Sequence, residues 1–395
     1  MKFEKSTQSI EELMKPRVLF VDDDVNILTS FRNLLRKEFK IDTADHPEKA
    51  LQMFRDNGPY PVVVSDLKMP DMDGLTLLSE IGKLNEDSVG IILTGHADIH
   101  AAVTALNQGY VFRFLTKPTE RDTLLKVINA GLDQYELITD NKLKARIIKE
   151  DLNSAAFIQQ SFLPEIDSNI NNLSLNWLFK PSGDVGGDMF DLIKLDEDNT
   201  GFYLMDISGH GVSAALAAIS VSRLLSGSAH LVQQQNITSP GDLLKQLDSD
   251  FPIERLNKHF TMFYGIVNKS RETLRYSSAG HLPPILQRRD GTIEQLERGG
   301  SVIGINIGIP FEEDEIPFNA GDRLFVYTDG LSEYESPSHE MFGEQRLISI
   351  ITENASRYSK AVLDHIYEEM LKFGENLPLQ DDVTICCLEF AGEES

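Results

Sequence analysis

The sequence contains few cysteines, no apolar run long enough for a membrane span and little positive charge. Its two cysteines, Cys386 and Cys387, are adjacent, and on a strand they would point to opposite faces, which excludes a disulfide framework. The longest nearly apolar run, residues 213–219, is too short to span a bilayer. Residues 1–15 are charged and lack the apolar segment of a signal peptide. We therefore expect a cytoplasmic protein that has no membrane partner.

Acidic residues outnumber basic ones by 62 to 37, which gives a formal net charge of −25 at pH 7. A surface with this surplus repels phosphate backbones and anionic lipids, so it argues against a nucleic-acid partner as well. Hydrophobic residues make up 41% of the chain and charged residues 25%, as in ordinary globular domains. A chain of 395 residues is long enough for two such domains, each with its own core.

The first part of the chain, residues 16–120, alternates short apolar segments with amphipathic ones. The apolar segments predict strands at residues 17–21, 41–44, 61–65, 90–93 and 111–115. The amphipathic segments predict helices at residues 25–38, 47–56, 75–84 and 99–107. Five strands that alternate with helices predict an α/β domain with a doubly wound parallel sheet of the flavodoxin-like type. Ligands bind such sheets at the carboxyl ends of the strands.

Residues suited to phosphoryl chemistry follow the strands of this sheet: Asp22, Asp23, Asp66, Thr94 and Lys117. Carboxylates that converge in one crevice need a cation, and a nearby lysine compensates their charge further. A hydroxyl and an ammonium group could also hold the oxygens of a phosphoryl group. Other acids nearby have simpler explanations. We expect Asp24 to act mainly as a helix N-cap, and we expect turn chemistry for Asp71 and Asp73.

These residues resemble the response-regulator receiver family. The matching motifs, in order, are Val21-Asp22-Asp23-Asp24, Asp66-x-x-Met69-Pro70-x-Met72-Asp73-Gly74, Thr94 and Phe114-x-x-Lys117-Pro118. The resemblance implies that Asp66 is the phosphoacceptor, with Thr94 and Lys117 as its catalytic partners. It also implies that a sensor histidine kinase or a phosphotransfer protein supplies the phosphoryl group.

The same resemblance implies a Mg²⁺ ion in the crevice. Asp23, Asp66 and the Lys68 carbonyl would bind the ion, and Asp22 would act through a water molecule. Phe114 stands where the family often has an aromatic switch residue. Core packing is the commoner role for such a side chain, and both roles stay open.

Residues 121–160 form a candidate linker. Apolar residues recur there at three- and four-residue steps, and Pro118 and Pro164 bracket the segment. This pattern predicts one long helix, or two nearly continuous ones, with an apolar stripe that could pair with another helix. The alternative is the last receiver helix followed by a solvated linker. Because the stripe continues well past the expected end of a receiver, we favour a coiled coil and a homodimer.

Two acids, Asp188 and Asp206, flank a predicted β-hairpin. Apolar runs follow the first acid and precede the second, and the polar turn between them, residues 196–201, is short. Antiparallel strands would carry both carboxylates to the same end of the sheet, where they repel each other unless a hard divalent cation binds. Glycines beside both acids would let the backbone approach an ion or a phosphate closely. The alternative is a turn system rich in glycine and aspartate.

Further acids stand at the ends of later strands, and with the two above they resemble a known superfamily. It is the metal-dependent protein serine/threonine phosphatases (PPM, or protein phosphatase 2C-like), in their SpoIIE-type branch. The matching motifs, in order, are Gly186-Gly187-Asp188, Asp206-Ile207-Ser208-Gly209-His210-Gly211, Ala279-Gly280-His281-x-Pro283-Pro284, Thr328-Asp329-Gly330 and Asp381-Asp382-Val383-Thr384. We assign residues 161–392 to this domain. The resemblance implies an α+β fold, with a two-sheet sandwich flanked by helices.

The resemblance also implies a metal centre with two Mn²⁺ or Mg²⁺ ions. Its implied ligands are Asp188, Asp206, Asp329, Asp381 and the Ile207 carbonyl. Asp382 would be either a further metal ligand or an acid that contacts the ligands without binding the metal itself. His210 would be a general acid, or else a helix cap or a packing residue. Lys180 is the base nearest the Gly186-Gly187-Asp188 motif, and its role is open.

Together these motifs predict a two-component response regulator. Phosphorylation of Asp66 would act through the linker on a phosphoserine or phosphothreonine protein phosphatase. By family analogy the substrate is a phosphorylated anti-sigma-factor antagonist. The alternative is a phosphatase-like adaptor with weak catalysis, which binds a sigma factor or its regulator under receiver control. Such an adaptor should lack some of the four metal-binding aspartates, and all four are present, so we favour the enzyme.

Overall fold

The computed structural model describes residues 15–95, 111–165, 168–226 and 239–391. The chain forms two compact units, residues 1–148 and 149–395. The helix predicted at residues 99–107 lies outside the described residues. No helix within the described ranges combines the length and the apolar character that crossing a membrane requires.

The first unit is built on a five-stranded parallel sheet. Its strands are β1 (Arg17–Val21), β2 (Lys40–Ala44), β3 (Val62–Asp66), β4 (Val89–Thr94) and β5 (Arg113–Thr116). The helices between them are α1 (Val25–Leu35), α2 (Pro47–Asn57) and α3 (Gly74–Leu84). The strand order is β2-β1-β3-β4-β5, and all neighbouring strands are parallel. This order confirms the predicted flavodoxin-like sheet and puts its switch point between β1 and β3.

Side-chain caps fix the starts of two of these helices. Asp24 accepts a hydrogen bond from the Asn26 amide at 2.8 Å, at the start of α1. Asp73 accepts one from the Thr76 amide at 2.7 Å, at the start of α3. The first contact confirms the N-cap role predicted for Asp24, whereas Asp73, for which turn chemistry was predicted, also caps a helix. Helix α1 ends three residues earlier than predicted: residues 36–38 form a turn, and Phe39 beyond it is buried.

A single helix, α4 (Arg121–Gln160), follows β5, which is one of the two forms predicted for the linker. Its first turns belong to the core of the first unit, since Leu124 and Ile128 are fully buried there. That core therefore extends past residue 120, where the sequence placed the end of the domain. Further along the helix, every residue from 140 to 151 is exposed.

The second unit contains two mixed or antiparallel sheets with helices outside them. Its strands are β6 (Ser168–Ile170), β7 (Leu173–Lys180), β8 (Met189–Lys194), β9 (Asn199–Ile207), β10 (Phe260–Asn268), β11 (Thr273–Ala279), β12 (Ile285–Gln287), β13 (Ile293–Gln295), β14 (Gly299–Gly300), β15 (Asp314–Pro317), β16 (Arg323–Tyr327) and β17 (Val383–Phe390). Its helices are α5 (Val212–Ser226), α6 (Pro240–Asp250), α7 (Ile253–Leu256), α8 (Asp329–Ser332), α9 (Glu344–Glu353) and α10 (Ser359–Phe373). One sheet has the order β14-β11-β10-β9-β8, with β15 paired to β11, and the other has the order β13-β12-β16-β17-β7-β6.

The two sheets share an apolar core, and helices cover their outer faces. Phe190 and Phe263 from the first sheet meet Leu388 from the second in one buried cluster. Helices α5 and α6 pack on the outer face of the first sheet, and α9 and α10 on that of the second. Cys386 belongs to the inner cluster and Cys387 to an outer one, and both thiols are free. The predicted sandwich and the predicted opposite directions of the cysteines are both confirmed.

Candidate active sites

In the first unit, the acids that follow β1 and end β3 meet the lysine that follows β5. Lys117 Nζ lies 2.7 Å from Asp22 Oδ2 and also pairs with Asp66 Oδ1. Asp66 Oδ2 accepts a hydrogen bond from the Lys68 amide at 3.0 Å. Burial acts to lower the pKa of Lys117, but the two carboxylates outweigh burial and raise that pKa above its ordinary value. The sheet therefore brings these three charged groups together at its carboxyl edge.

The other predicted residues of this crevice differ in their surroundings. Thr94 ends β4 and is buried, and its hydroxyl donates to the Gly95 carbonyl at 3.2 Å. Asp23 is exposed beside Asp22. Phe114 is half-buried and packs against the hydrophobic core of the unit. That packing agrees with the commoner role considered for Phe114, and its action as a switch stays a prediction.

In the second unit, Asp188 and Asp206 lie at the same end of a β-hairpin, as predicted. Strands β8 and β9 are antiparallel, with Met189 opposite Met205. Asp188 and Asp206 are the next residues beyond that pair, so they lie opposite each other. The turn is shorter than expected because β9 already begins at Asn199. Two carboxylates in this arrangement repel each other.

Asp188 is buried among hydroxyl groups and other carboxylates. Its Oδ2 accepts hydrogen bonds from the hydroxyls of Thr328, at 2.9 Å, and of Thr384. Its Oδ1 is buried and has no hydrogen-bond partner among the described residues. Burial, with the charges of Asp206 and Asp382, raises the pKa of Asp188 well above its ordinary value. This oxygen is therefore placed for a ligand that the described part of the protein does not supply.

Three more aspartates complete what we call the acidic cluster: Asp188, Asp206, Asp329, Asp381 and Asp382. Burial and the charges of Asp329, Asp381 and Asp382 raise the pKa of Asp206 to about 7. Burial and the charge of Asp381 also raise the pKa of Asp329. Asp329 follows β16 and Asp381 precedes β17, and the antiparallel pairing of these strands brings both acids to the wall of one cavity of about 180 Å³.

Asp382 holds the loop that precedes Asp188. Its Oδ1 accepts a hydrogen bond from the Ser182 amide at 2.8 Å, and its Oδ2 accepts one from the Gly187 amide at 2.6 Å. A Cβ at Gly186 would lie only 2.5 Å from Asp382 Oδ2, so this close approach requires glycine. Of the two roles predicted for Asp382, these contacts favour support of the loop over metal binding.

The chemistry of the acidic cluster fits divalent cations. Carboxylate and carbonyl oxygens are the ligands that Mg²⁺ and Mn²⁺ prefer. Carboxylates that raise one another's pKa need positive charge nearby to stay ionised. Among the described residues, no three His, Cys, Asp or Glu side chains form a ready-made ligand set. The fit therefore rests on the unpartnered Asp188 Oδ1 and on the grouped charges.

Two basic residues considered from the sequence lie in different surroundings. His210 is exposed in the turn between Gly209 and Gly211, both of which have a φ of +80°. Its exposure excludes the packing role, and a general-acid role for it stays a prediction. The Lys180 ammonium lies 5.9 Å from the centre of the Tyr367 ring.

Some residues that contact the site had no role in the sequence analysis. Gln159, near the end of α4, donates to the Gly186 carbonyl at 2.8 Å and accepts from the Gly186 amide at 3.2 Å. Lys258 donates to the Ser208 carbonyl at 2.8 Å. The two threonines that hold Asp188 stand inside the recognised motifs, so a signal for them existed. Gln159 stands in residues 157–164, a segment that resembles the helix which opens SpoIIE-type phosphatase domains, but nothing in the sequence around Lys258 marks that residue.

Without divalent cations, the melting temperature of the second unit should fall as the pH rises from 6.5 to 8. Asp206 has a pKa of about 7, above its unfolded value, so the folded state binds the extra proton and loses this stabilisation as the pH passes 7. His281 opposes the trend only at the lower end of this range, because burial lowers its pKa to about 4 and the unfolded histidine, with its ordinary pKa of 6.5, has lost its proton by about pH 7.5. Trp177 is the only tryptophan, so its fluorescence during heating in EDTA reports on this unit.

The control for this pH dependence is Asp206→Asn, which removes the titrating carboxyl group. The slope of melting temperature against pH should flatten in the variant. An equally steep slope in both proteins would show that other groups cause it.

Two sequence-family models match the chain. The model described as "Response regulator receiver domain" matches residues 18–129. The model described as "Stage II sporulation protein E (SpoIIE)" matches residues 196–391. The matched ranges include the charged crevice of the first unit and most of the acidic cluster of the second.

Two curated phosphatases of Bacillus subtilis (strain 168) are similar to parts of the chain. Phosphoserine phosphatase RsbP is 29% identical over 191 residues, which are 46% of this chain and 45% of RsbP. Phosphoserine phosphatase RsbU is 25% identical over 245 residues, which are 61% of this chain and 70% of RsbU. This chain spans less than half the length of the first curated relatives that it matches.

One solved structure resembles the second unit in its fold. The SiaA-PP2C domain of Pseudomonas aeruginosa matches with a TM-score of 0.54 at 21% sequence identity. The match covers 62% of this chain and 98% of that domain. At this level of identity the likeness concerns the fold alone.

Proposed function

This chain joins a response-regulator receiver domain to a SpoIIE-type PPM phosphatase domain, and on that basis we propose that it is a response regulator with a phosphatase output. Asp66 would accept a phosphoryl group from a sensor histidine kinase or a phosphotransfer protein. The second domain would then hydrolyse phosphoserine or phosphothreonine in a protein. The observation that carries this proposal is Asp188, a buried carboxylate with one oxygen unpartnered among four other aspartates.

Some residues of the second domain would bind the metal ions, and others hold those ligands in place. Asp188, Asp206, Asp329, Asp381 and the Ile207 carbonyl would hold two Mn²⁺ or Mg²⁺ ions. Such ions supply the positive charge that the cluster needs, stabilise charge on the phosphoryl oxygens and activate a water for attack. The hydroxyls of Thr328 and Thr384 fix the orientation of Asp188 by holding Oδ2. Asp382 fixes the glycine loop.

In the first domain, Asp66 would be the nucleophile for phosphoryl transfer. Lys117 already pairs with Asp66 and would neutralise an oxygen of the incoming phosphoryl group. Thr94, at the end of the neighbouring strand, would donate its hydroxyl to another oxygen. Mg²⁺ would be held by Asp23, Asp66 and the Lys68 carbonyl, with Asp22 behind it, and would offset the remaining negative charge.

The substrate class follows the named relatives. RsbP and RsbU are phosphoserine phosphatases, and both are similar to this chain. We infer a phosphorylated anti-sigma-factor antagonist as the substrate. The rival function is an adaptor that binds a sigma factor or its regulator without turnover. The acidic cluster favours the enzyme, because a binding surface has no need for buried carboxylates that raise one another's pKa.

The direct test of the enzyme is phosphate release from a phosphoserine-containing anti-sigma-factor antagonist in the presence of Mn²⁺. Release should require the metal and should stop on addition of EDTA. Isothermal titration calorimetry with Mn²⁺ separates the two functions. A chain that binds no metal and releases no phosphate, yet binds the same partner, would be the adaptor.

Helix α4 offers a route by which the receiver would control the phosphatase. Gln159 on α4 makes two hydrogen bonds with Gly186, in the loop that Asp382 also holds. Lys149, ten residues earlier on the same helix, pairs with Asp184 of that loop. A shift or rotation of the helix would therefore pull on the backbone just before Asp188. We infer that phosphorylation of Asp66 acts on the site through this loop.

Gln159→Ala should weaken this control without affecting the receiver. Beryllofluoride, which mimics the phosphoryl group on Asp66, should change the turnover of the wild-type chain. In the variant that change should shrink about fivefold or more, since the amide pair with Gly186 is lost. Gln160→Ala is the matched control, because Gln160 is the exposed neighbour on the same helix turn. Equal responses of both variants would remove Gln159 from the route.

We also infer a homodimer through α4. Leu143, Ile147 and Ile148 are 53%, 48% and 59% exposed in the part of α4 where every residue is exposed. Leu143 and Ile147 stand four residues apart and Ile148 is next to Ile147, and an exposed apolar patch of this kind on a helix favours pairing with a second copy of the helix. The direction of the paired helices stays open.

A further inference from the structure

Lys258 lies just before β10, and its ammonium group reaches the loop that follows Asp206. Lys258 Nζ donates to the Ser208 carbonyl at 2.8 Å. The backbone on both sides is tied together as well. The Ser208 amide donates to the His259 carbonyl at 2.9 Å, and the His259 amide donates to the Ser208 hydroxyl at 3.2 Å. The ammonium is therefore held next to the segment that would bind metal through Asp206 and the Ile207 carbonyl.

Gly209 makes room for this ammonium group. A Cβ built on Gly209 would lie 3.0 Å from Lys258 Nζ, and the φ of Gly209 is +80°. A side chain at this position would be strained in its backbone and would crowd the ammonium group. The glycine of the motif thus permits a positive charge to lie against the main chain of the loop.

The ammonium group has hydrogen-bonding capacity left over. A lysine has three N–H donors, and one of them is used by the Ser208 carbonyl. Lys258 makes no ion pair with any residue in the described ranges, although Asp206 of the acidic cluster stands only two residues before Ser208. Two donors are therefore available to a ligand or to water, on a side chain that is half-buried.

Charge counting gives this cation a role. Five aspartates contribute −5, and two divalent ions would contribute +4, so the loaded cluster would keep a negative charge toward a phosphomonoester dianion. The motif around Asp188 contains no arginine, and the Lys180 ammonium lies over the Tyr367 ring. Lys258 is a positive group that the fold places against the loop of Asp206. Ammonium groups bind phosphate oxygens through short, charge-assisted hydrogen bonds.

We propose that Lys258 is a substrate-binding residue, which donates hydrogen bonds to the non-bridging oxygens of the phosphoryl group. The proposal rests on the phosphatase function proposed above and adds the group that recognises the phosphate. The rival explanation is that Lys258 only braces the loop through the Ser208 carbonyl. A substrate-binding role requires the positive charge of Lys258. A role in bracing the loop requires only a hydrogen-bond donor to the Ser208 carbonyl.

Three substitutions separate the two roles. Lys258→Arg keeps charge and donors, Lys258→Gln keeps a neutral donor for the Ser208 carbonyl, and Lys258→Met keeps neither. Lys269→Gln is the matched control, since Lys269 follows the opposite end of β10. The probes are inorganic phosphate, whose binding to the Mn²⁺-loaded full chain is measured by calorimetry, and p-nitrophenyl phosphate, whose hydrolysis gives KM and kcat.

Lys258→Gln and Lys258→Met should both weaken phosphate binding and raise KM by about tenfold, as the loss of one charge-assisted hydrogen bond implies. Lys258→Arg should stay within about threefold of the wild type, and Lys269→Gln should match it. Wild-type behaviour of Lys258→Gln, whether or not Lys258→Met is impaired, would overturn the proposal. So would a wild-type chain that binds Mn²⁺ but no phosphate.

Separate measurements of phosphate binding and of phosphomonoester hydrolysis also distinguish failure of this proposal from failure of the phosphatase proposal. A chain that binds phosphate through Lys258 but hydrolyses no phosphomonoester would leave Lys258 as an anion-binding residue and remove the enzyme. Normal rates of hydrolysis in all three variants would support the phosphatase function and exclude Lys258 from substrate binding.

Discussion

Replacing Asp188 with asparagine should lower the Mn²⁺-dependent release of phosphate by at least about a hundredfold. Asparagine has the same shape and can keep the hydrogen bonds from Thr328 and Thr384 to its carbonyl oxygen. It loses the charge and turns the buried, unpartnered oxygen into an amide group that cannot bind a cation. The variant should therefore keep the fold and lose metal binding at this position. Initial rates of phosphate release at saturating Mn²⁺ measure the effect.

The matched control is Asp191→Asn, three residues further along the same hairpin strand. Asp191 is also largely buried, and burial raises its pKa, but its carboxylate is used by the Leu192 amide and the Ser226 hydroxyl. It is not a member of the acidic cluster, so turnover should stay near the wild-type rate. Full activity of Asp188→Asn would contradict the metal-binding role of the cluster.

Replacing Asp66 with asparagine should abolish phosphorylation of the chain by acetyl phosphate and Mg²⁺. The amide group cannot form the acyl phosphate, whereas its carbonyl oxygen can still accept the hydrogen bond from the Lys68 amide. The fold should therefore persist while the loss of labelling is complete. Phosphate-affinity electrophoresis measures the labelled fraction, and circular dichroism checks the fold.

The control is Asp71→Asn, in the exposed turn that follows. Asp71 has a φ of +67°, a conformation that asparagine also adopts, and its side chain is 75% exposed. This variant should be labelled like the wild type. Labelling that persists in Asp66→Asn would place the phosphoacceptor at another residue.

The positions of the aspartates could be predicted because they depend on strand ends. In the hairpin, the apolar runs and the polar turn specify the antiparallel pairing, and this pairing alone brings Asp188 and Asp206 to the same end. In the receiver, the alternation of strands and helices specifies a parallel sheet, and Asp22, Asp66 and Lys117 meet at its carboxyl edge.

The supporting contacts could not be predicted, since they depend on packing between distant segments. Gln159 lies 27 residues from Gly186, and Lys258 lies 50 residues from Ser208. Neither has a periodic pattern or a motif that indicates its partner. The same limit affected Asp382, whose motif left open whether it binds metal or supports the ligands, because its oxygens accept from backbone amides that lie about 200 residues away.

The measurement that tests the central claim most directly is hydrolysis of a phosphoserine protein substrate with Mn²⁺, in the presence and absence of beryllofluoride. The wild-type chain should release phosphate, and the rate should change when beryllofluoride binds the receiver. The Asp66→Asn chain should release phosphate at a rate that beryllofluoride leaves unchanged. A wild-type rate that stays constant while the receiver binds beryllofluoride would contradict the control of the phosphatase by the receiver.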